Sequence, residues 1–318
     1  MVFLKQQNPW VVAAVLALFL VGGWHVLFAA PRTFSPGSMV RISYGMSVPE
    51  IAQELADAHI IAHPTLFHIF FRLTGGSTSI QSGVYKFQTP ENLFQVAHRL
   101  MTGDFGLPVI RLTFIEGATV HEDALQIAQA FPDLSAKDFL QAAEGQEGYL
   151  FPDTYFFQPS VDASAIIALM HSNFDAKIAP LAQKIAASKH TLRDIITMAS
   201  LIEKEARTPA DRRMVSGILW NRIAHRMPLQ VDAVFGYIYN RPTYSPSYAD
   251  LKVDSPYNTY LHIGLPPGPI DNPGLDSIEA ALSPTPTTYL YYLTYTSGNM
   301  HYATTYAGHQ ANLRKYLK

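Results

Sequence analysis

Two glutamates flank a lysine at Glu203-Lys204-Glu205, directly after the run Thr197-Met198-Ala199-Ser200-Leu201-Ile202. A carboxyl group set against apolar side chains is the residue type that general acid chemistry asks for. Apolar residues recur at helical spacing (Leu192, Ile195, Ala199, Ile202, Ala206), and Thr191 with Asp194 three residues on supplies a start signal. The segment therefore reads as an amphipathic helix with two carboxylates at its end. Neighbours two apart on a helix point roughly 200° away from each other, so at most one of the pair can serve a single site. Helical phase places Glu203 slightly nearer the apolar stripe than Glu205. A Glu-Lys-Glu run near a helix end also reads as a solvated face.

The elements around this run must position it. Thr208-Pro209-Ala210-Asp211 signals a second helix with Thr208 as cap; Met214, Ile218, Leu219 and Ile223 give it a buried face, and Pro228 is its expected stop. The two helices should form a hairpin whose corner lies just past Glu205. Gln230 and Asp232 follow on an extended piece before Ala233 to Tyr239 turns helical. Asp232 reads equally as a cap for that helix, whereas the Gln230 amide is suited to the hydroxyl and acetamido groups of a sugar. Tyr257-Asn258-Thr259-Tyr260 offers an amide between two aromatics, a composition suited to pyranose faces, and the loop Gly264 to Gly274 holds four prolines and three glycines, which stiffen it and allow close approach. Leu275 to Leu282 reads as a short helix, and Thr288 to Tyr295 with Met300 to Tyr306 as a hairpin turned through Ser297-Gly298-Asn299.

Taken in order, Glu203-Lys204-Glu205-Ala206, Leu229-Gln230-Val231-Asp232, Tyr257-Asn258-Thr259-Tyr260, Gly264-Leu265-Pro266-Pro267-Gly268 and Asn272-Pro273-Gly274 resemble the membrane-anchored endolytic murein transglycosylases, the MltG or YceG-like family. The resemblance runs from the N-terminal segment to the last helix. It implies a lyase that cleaves the MurNAc-GlcNAc β-1,4 bond of nascent peptidoglycan strands without water, leaving 1,6-anhydro-MurNAc ends and limiting strand elongation. It implies Glu205, the second glutamate of the pair and the one before a small residue, as the catalytic residue, with Glu203 supporting or alternative to it. Substrate contacts are expected from Gln230, Asp232, Tyr257, Asn258, Thr259 and Glu116; Glu116-Gly117 and the Gly145 to Tyr155 segment lie beside the cleft in resembling sequences. Glu116 reads equally as a carboxylate accepting turn amides. Ala206 stands where relatives commonly carry a hydroxyl residue, and Asn240 to Leu251 is idiosyncratic. Two other readings stay open: a non-catalytic glycan-binding scaffold, and a hydrolytic muramidase pairing Glu205 with Asp232.

Over 318 residues the net charge is -2, which argues against nucleic acid as a partner, and 48% hydrophobic against 15% charged residues excludes a disordered chain. The absence of cysteine removes disulfides and thiolate metal sites; His68, His301 and His309 stand apart from other ligand types, so no metal or cofactor is expected. Trp10 to Ala30 carries no Asp, Glu, Lys or Arg and has the length of a membrane span. Phe28-Ala29-Ala30-Pro31 is a poor cleavage site, so the expectation is an uncleaved single-pass anchor with residues 1–9 cytoplasmic and a linker at 31–38. Short strands alternate with capped helices after it: Val40 to Ser43 then Ser47-Val48-Pro49-Glu50, Gly83 to Phe87 then a helix opening at Thr89-Pro90, and Val109 to Phe114 then Thr119 to Glu122. This is an α+β pattern. The resemblance implies a LysM-like module over 39–106 and an α+β catalytic domain over 107–318, on the outer side of the bacterial inner membrane beside peptidoglycan synthases of elongation or division. Tyr44, Tyr85 and Phe87 read as core aromatics or as sugar-stacking faces.

Overall fold

The computed structural model describes residues 10, 13, 23, 31, 33–43, 45–75, 80–242, 244–294 and 299–316. The expected membrane span, Trp10 to Ala30, lies outside the described residues except for Trp10, Ala13 and Gly23. Among the described residues no helix is long and apolar enough to cross a membrane. The chain divides into two compact units, one of residues 1–110 with 158–161, the other of 111–157 with 162–318.

The first unit runs β1 (Ser38–Ile42), α1 (Val48–Asp57), α2 (Pro64–Thr74), β2 (Gly83–Phe87), α3 (Leu93–Thr102). β1 and β2 pair antiparallel with Val40 opposite Tyr85, which sends alternate side chains inward. Val40, Ile42, Tyr85 and Phe87 are buried there with Leu55, Phe67, Phe71 and Leu100. Tyr85 and Phe87 are therefore core, while Tyr44 lies outside the described residues. The Glu50 carboxylate accepts from the Ser47 amide and hydroxyl at the start of α1. The helix expected to open at Pro90 begins instead at Leu93, where Asn92 and Gln95 form the capping box. A reciprocal pair of side-chain bonds satisfies two first-turn amides, more than the proline position does.

The second unit opens with β3 (Ile110–Thr113) and α4 (Val120–Ala130), the latter capped reciprocally by Thr119 and Glu122 as its sequence predicts. It continues α5 (Ala136–Ala142), β4 (Thr154–Phe157, paired with β3), α6 (Ala163–Ile178), α7 (Ala182–Ala187), α8 (Leu192–Glu205), α9 (Pro209–Ala224), α10 (Val234–Ile238), α11 (Leu275–Leu282), β5 (Tyr291–Thr294), β6 (Met300–Ala303) and α12 (Tyr306–Tyr316). The sheets among the described residues are two-stranded, so the architecture is α+β. Its core is built on α8: Ile195, Ile196, Met198, Ala199, Leu201 and Ile202 are all fully buried. α9 ends at Ala224, short of Pro228, because Arg226 turns left-handed (φ 55°) and Met227 N donates back to the Arg222 carbonyl.

Asn272 stitches this unit together. Its Oδ1 accepts from Gly148 N (2.9 Å) and Leu150 N (3.2 Å), and its Nδ2 donates to Asp123 Oδ2 (3.1 Å). Asp123 is 2% exposed, and burial, then the charge of Glu147, pushes its carboxyl up to about 8. A carboxyl raised on folding stabilises fully below its unfolded value near 4, and that stability is lost as pH rises through about 8. Asp123→Asn should accordingly flatten the decline of thermal stability between pH 5 and pH 8. Parallel declines in variant and wild type would show that Asp123 does not titrate in that window.

Candidate functional site

α8 exists because Thr191 and Asp194 cap each other's backbone and its apolar face is buried along its whole length. It stops at Glu205, Ala206 adopts extended geometry, and Thr208 caps α9. The corner is as tight as the sequence indicates, and the two glutamates leave it in different directions. Glu203 Oε1 pairs with Arg212 Nη2 at 2.5 Å, with side chains 6% and 10% exposed. Its Oε2 accepts from Gly274 N at 3.0 Å, ahead of α11. Glu205 instead faces a cleft of about 330 Å³ with Arg222, Gln230, Asp232, Tyr260 and Tyr292. Its Oε2 accepts from the Tyr292 hydroxyl at 2.9 Å.

The electrostatics of the two carboxyls follow from this. Burial raises the Glu205 carboxyl to about 7; the hydrogen bond from Tyr292 acts against the rise and the charge of Asp232 adds to it. Glu205 is thereby half protonated near neutrality, as a general acid requires. Helical phase favoured Glu203, and Glu203 is indeed buried, but against a guanidinium rather than beside an open cleft.

Asp232 does not cap α10. That helix starts at Val234, and Asp232 contributes only its backbone carbonyl to Phe235 N. Its carboxylate accepts from the Tyr260 hydroxyl at 2.5 Å and lies in the cleft. A second cavity of about 410 Å³, walled by Lys204, Tyr237, Arg241 and Tyr244, also reaches Glu205 and Asp232. The two carboxyls thus line both cavities.

Gln230 is exposed in the cleft with φ 54°, a left-handed conformation that a non-glycine residue adopts under strain. Its amide N donates to Thr259 O at 3.1 Å, and its Oε1 lies 3.4 Å from Arg222 Nη1. Gln230→Gly should raise thermal stability by about 1 kcal/mol by relieving that strain while raising KM for glycan. A lower melting temperature, or an unchanged KM, would contradict this placement.

Asn258 and Thr259 are not available to a ligand. Asn258 is 0% exposed, its Nδ2 donating to Leu251 O and Val253 O and its Oδ1 accepting from Tyr260 N. Thr259 Oγ1 accepts from Val231 N and donates to Val231 O. The expected substrate contacts at these two positions are therefore corrected: they hold the Gln230 to Asp232 segment and aim Tyr260. Tyr257 is half-buried, its ring 4.9 Å from Tyr237, a wall of the second cavity. Glu116 lines neither cavity. Its carboxyl sits over Gly274 and is raised by burial and by the charge of Glu203, with Arg212 acting against the rise. It belongs to the Arg212 group.

Arg222 and Tyr292 are cleft residues that the sequence alone does not single out; Tyr260, the second aromatic of the Tyr257 to Tyr260 run, and His309 line the cleft with them. Arg222 is buried; Nε donates to Leu290 O and Nη1 to Leu229 O, each at 2.7 Å. One guanidinium so ties the strand leading into β5 to the segment leading into Gln230. An arginine in helical phase with Ile218 and Leu219 is the signal that could have found it, since arginine is seldom fully buried without partners. His309 stacks on Tyr291, and burial holds it below its ordinary value, with Arg222 acting the same way. His301 stacks on Tyr316 at 3.6 Å. Among the described residues no group of three or more His, Cys, Asp or Glu could hold a metal ion.

Comparison with known proteins gives consistent results. The profile of the YceG-like family matches residues 40–315. A Bacillus subtilis protein named endolytic murein transglycosylase is 32% identical over 305 residues, covering 87% of this chain and 84% of its own. A Streptococcus pneumoniae protein of the same name is 29% identical over 320 residues, covering 87% of this chain and 58% of that longer protein. The crystal structure of a yceG-like protein from Listeria monocytogenes matches with a TM-score of 0.61 at 31% identity, covering 86% of this chain and 98% of that one.

Proposed function

The chain belongs to the YceG-like family, and from that premise we propose that it is an endolytic murein transglycosylase, a lyase of peptidoglycan strands, with Glu205 as its acid and base. The observation that carries the site assignment is that Glu205, raised to about 7, lines two cavities that both reach it. A polymer can lie across such a site with sugars on either side of the bond being cut, which is what endolytic cleavage needs.

The chemistry follows from one carboxyl group. Neutral Glu205 gives its proton to the glycosidic oxygen as the bond to the muramyl anomeric carbon breaks. The C6 hydroxyl of the same muramyl residue attacks that carbon, and the Glu205 carboxylate takes the hydroxyl proton. The product is a 1,6-anhydro end, and the acid is restored without water. The carboxylate of Asp232 faces the positive charge that develops at the anomeric centre. A glycosidase using water ordinarily needs two carboxyls at a fixed separation, and Asp232 lining the same cleft gives the hydrolytic reading its one specific observation.

Uncrosslinked glycan strands digested with the purified chain and analysed by mass spectrometry separate the readings. Anhydro-muramyl ends establish the transglycosylase, reducing ends the muramidase, and intact strands under conditions of measured binding the scaffold.

The proposal extends to the cell. The apolar run Trp10 to Ala30 supports a single-pass anchor in the inner membrane, with residues 1–9 cytoplasmic and the larger unit outside. The β-α-α-β order of residues 38–87, with its antiparallel pair, supports a LysM-like module over 39–106. An enzyme so placed would act on nascent strands beside the synthases of elongation or division. Recovery of the intact chain in the soluble fraction of lysed cells would contradict the anchor.

A further inference from the structure

The C-terminal hairpin contributes more than a wall. The segment leading into β5, and β6 beside it, are fixed to α9: Arg222 Nε donates to Leu290 O (2.7 Å), Asn221 Nδ2 to Thr287 O (2.7 Å), and Tyr302 Oη, from the β6 residue opposite Tyr292, to Asp211 Oδ1 (2.8 Å). These bonds hold the Tyr292 ring where its hydroxyl reaches Glu205 Oε2 at 2.9 Å. Because Tyr292 lies 87 residues beyond Glu205, only the fold brings the pair together.

We infer that Tyr292 is a positioning residue for the lytic reaction: by donating to Oε2 in both protonation states of Glu205, it confines the transferable proton to Oε1, the oxygen that protonates the leaving group and then collects the C6 hydroxyl proton. The inference rests on the transglycosylase reading of Glu205. Burial and the neighbouring Glu205 charge raise the Tyr292 phenol well above its ordinary value, so it stays a donor throughout the working range. In the neutral carboxyl the carbonyl oxygen is much the better acceptor for the phenol, and the hydroxyl oxygen acts chiefly as the donor. With Oε2 as the acceptor, the proton resides on Oε1, and no rotation of the carboxyl separates donation from recovery.

Other titratable and charged groups surround the pair. Asp232, bonded to Tyr260, faces it from the Gln230 segment; Arg222 lies on α9, Lys204 on α8 and His309 on α12, while Glu122 on α4 and Arg241 line the second cavity with Glu205. A change at Tyr292 leaves all of these in place. The hydrogen bond from Tyr292 favours the charged carboxylate, so its loss raises the Glu205 value. The group acts first as an acid, so the fall in kcat/KM at high pH must then move upward.

The test compares wild type, Tyr292→Phe and protein carrying 3-fluorotyrosine at 292, with Tyr291→Phe as a neighbouring control. Tyr292→Phe keeps the ring and should move the basic limb of kcat/KM upward by about half to one pH unit. It should also lower kcat at pH 6 about tenfold and leave KM within about twofold. The more acidic fluorophenol, a stronger donor, should move the limb downward. An unmoved limb in both proteins, or a change confined to KM, would overturn the role of Tyr292. The products of the same digests report separately on the reaction: reducing ends from wild type would overturn the transglycosylase reading itself, whereas anhydro ends with an unmoved limb would overturn only the inference.

Discussion

Glu205→Gln should abolish strand cleavage, lowering kcat/KM by roughly 10³-fold or more, while the protein stays folded and still binds glycan. The amide cannot deliver a proton to the glycosidic oxygen, and no other acid stands ready to replace it. Asp232 is tied to the Tyr260 hydroxyl, and Glu203 is held by Arg212 and Gly274 N. Glutamine fits the space and still accepts from Tyr292 through its carbonyl oxygen. It also never ionises, so the variant should be no less stable than wild type at pH 8, where the native carboxyl, raised to about 7, is charged in a buried place. The wild-type pH profile belongs to the same argument: kcat/KM should decline as pH rises through about 7. Retention of a tenth of wild-type cleavage by Glu205→Gln, or a decline centred near the ordinary glutamate value, would remove Glu205 from the chemistry.

How much of this was legible before folding depends on the range of the interactions involved. The frame of the site was local and therefore readable: Thr191 with Asp194 starts α8, Thr208 with Pro209 starts α9, and the corner between them follows. Even the divergence of Glu203 and Glu205 comes from helix geometry alone. What the sequence could not rank was the kind of burial each meets. Phase put Glu203 nearer the apolar stripe, but its partner there is the Arg212 guanidinium, whereas Glu205 is desolvated where it lines a cleft. Long-range partners account for the other differences. Asp232 looks like a cap until Tyr260, 28 residues on, takes its carboxylate. Asn258 and Thr259 have the side chains a sugar site favours, yet each is consumed by backbone groups of neighbouring loops. Alternation marked Tyr291 and Tyr292 as strand residues, and nothing local says which of the two faces a carboxyl.

The same contrast predicts an opposite phenotype at the other glutamate. Glu203→Ala should cost about 3–5 kcal/mol of stability, because it strands a buried guanidinium, yet leave product chemistry unchanged. Arg212 is 8% exposed. Without Glu203 its remaining hydrogen-bond and ion-pair contacts are the Ala206 carbonyl at 3.2 Å and Asp276, 3.7 Å away and largely in solvent, with Glu116 acting on it only through its charge. Gly274 N, just ahead of α11, would lose its acceptor as well. Since α8, α9 and α11 meet at this point, the loss should appear as a lower unfolding midpoint in denaturant with a native slope. At a temperature where the variant is folded, kcat should stay within a few-fold of wild type and the ends of the products should be the same. Glu203→Gln, which keeps an acceptor for Gly274 N, should fall between the two in stability. If instead Glu203→Ala kept its stability and lost cleavage, the acid would be Glu203, and the ion pair with Arg212 would have to open during the reaction.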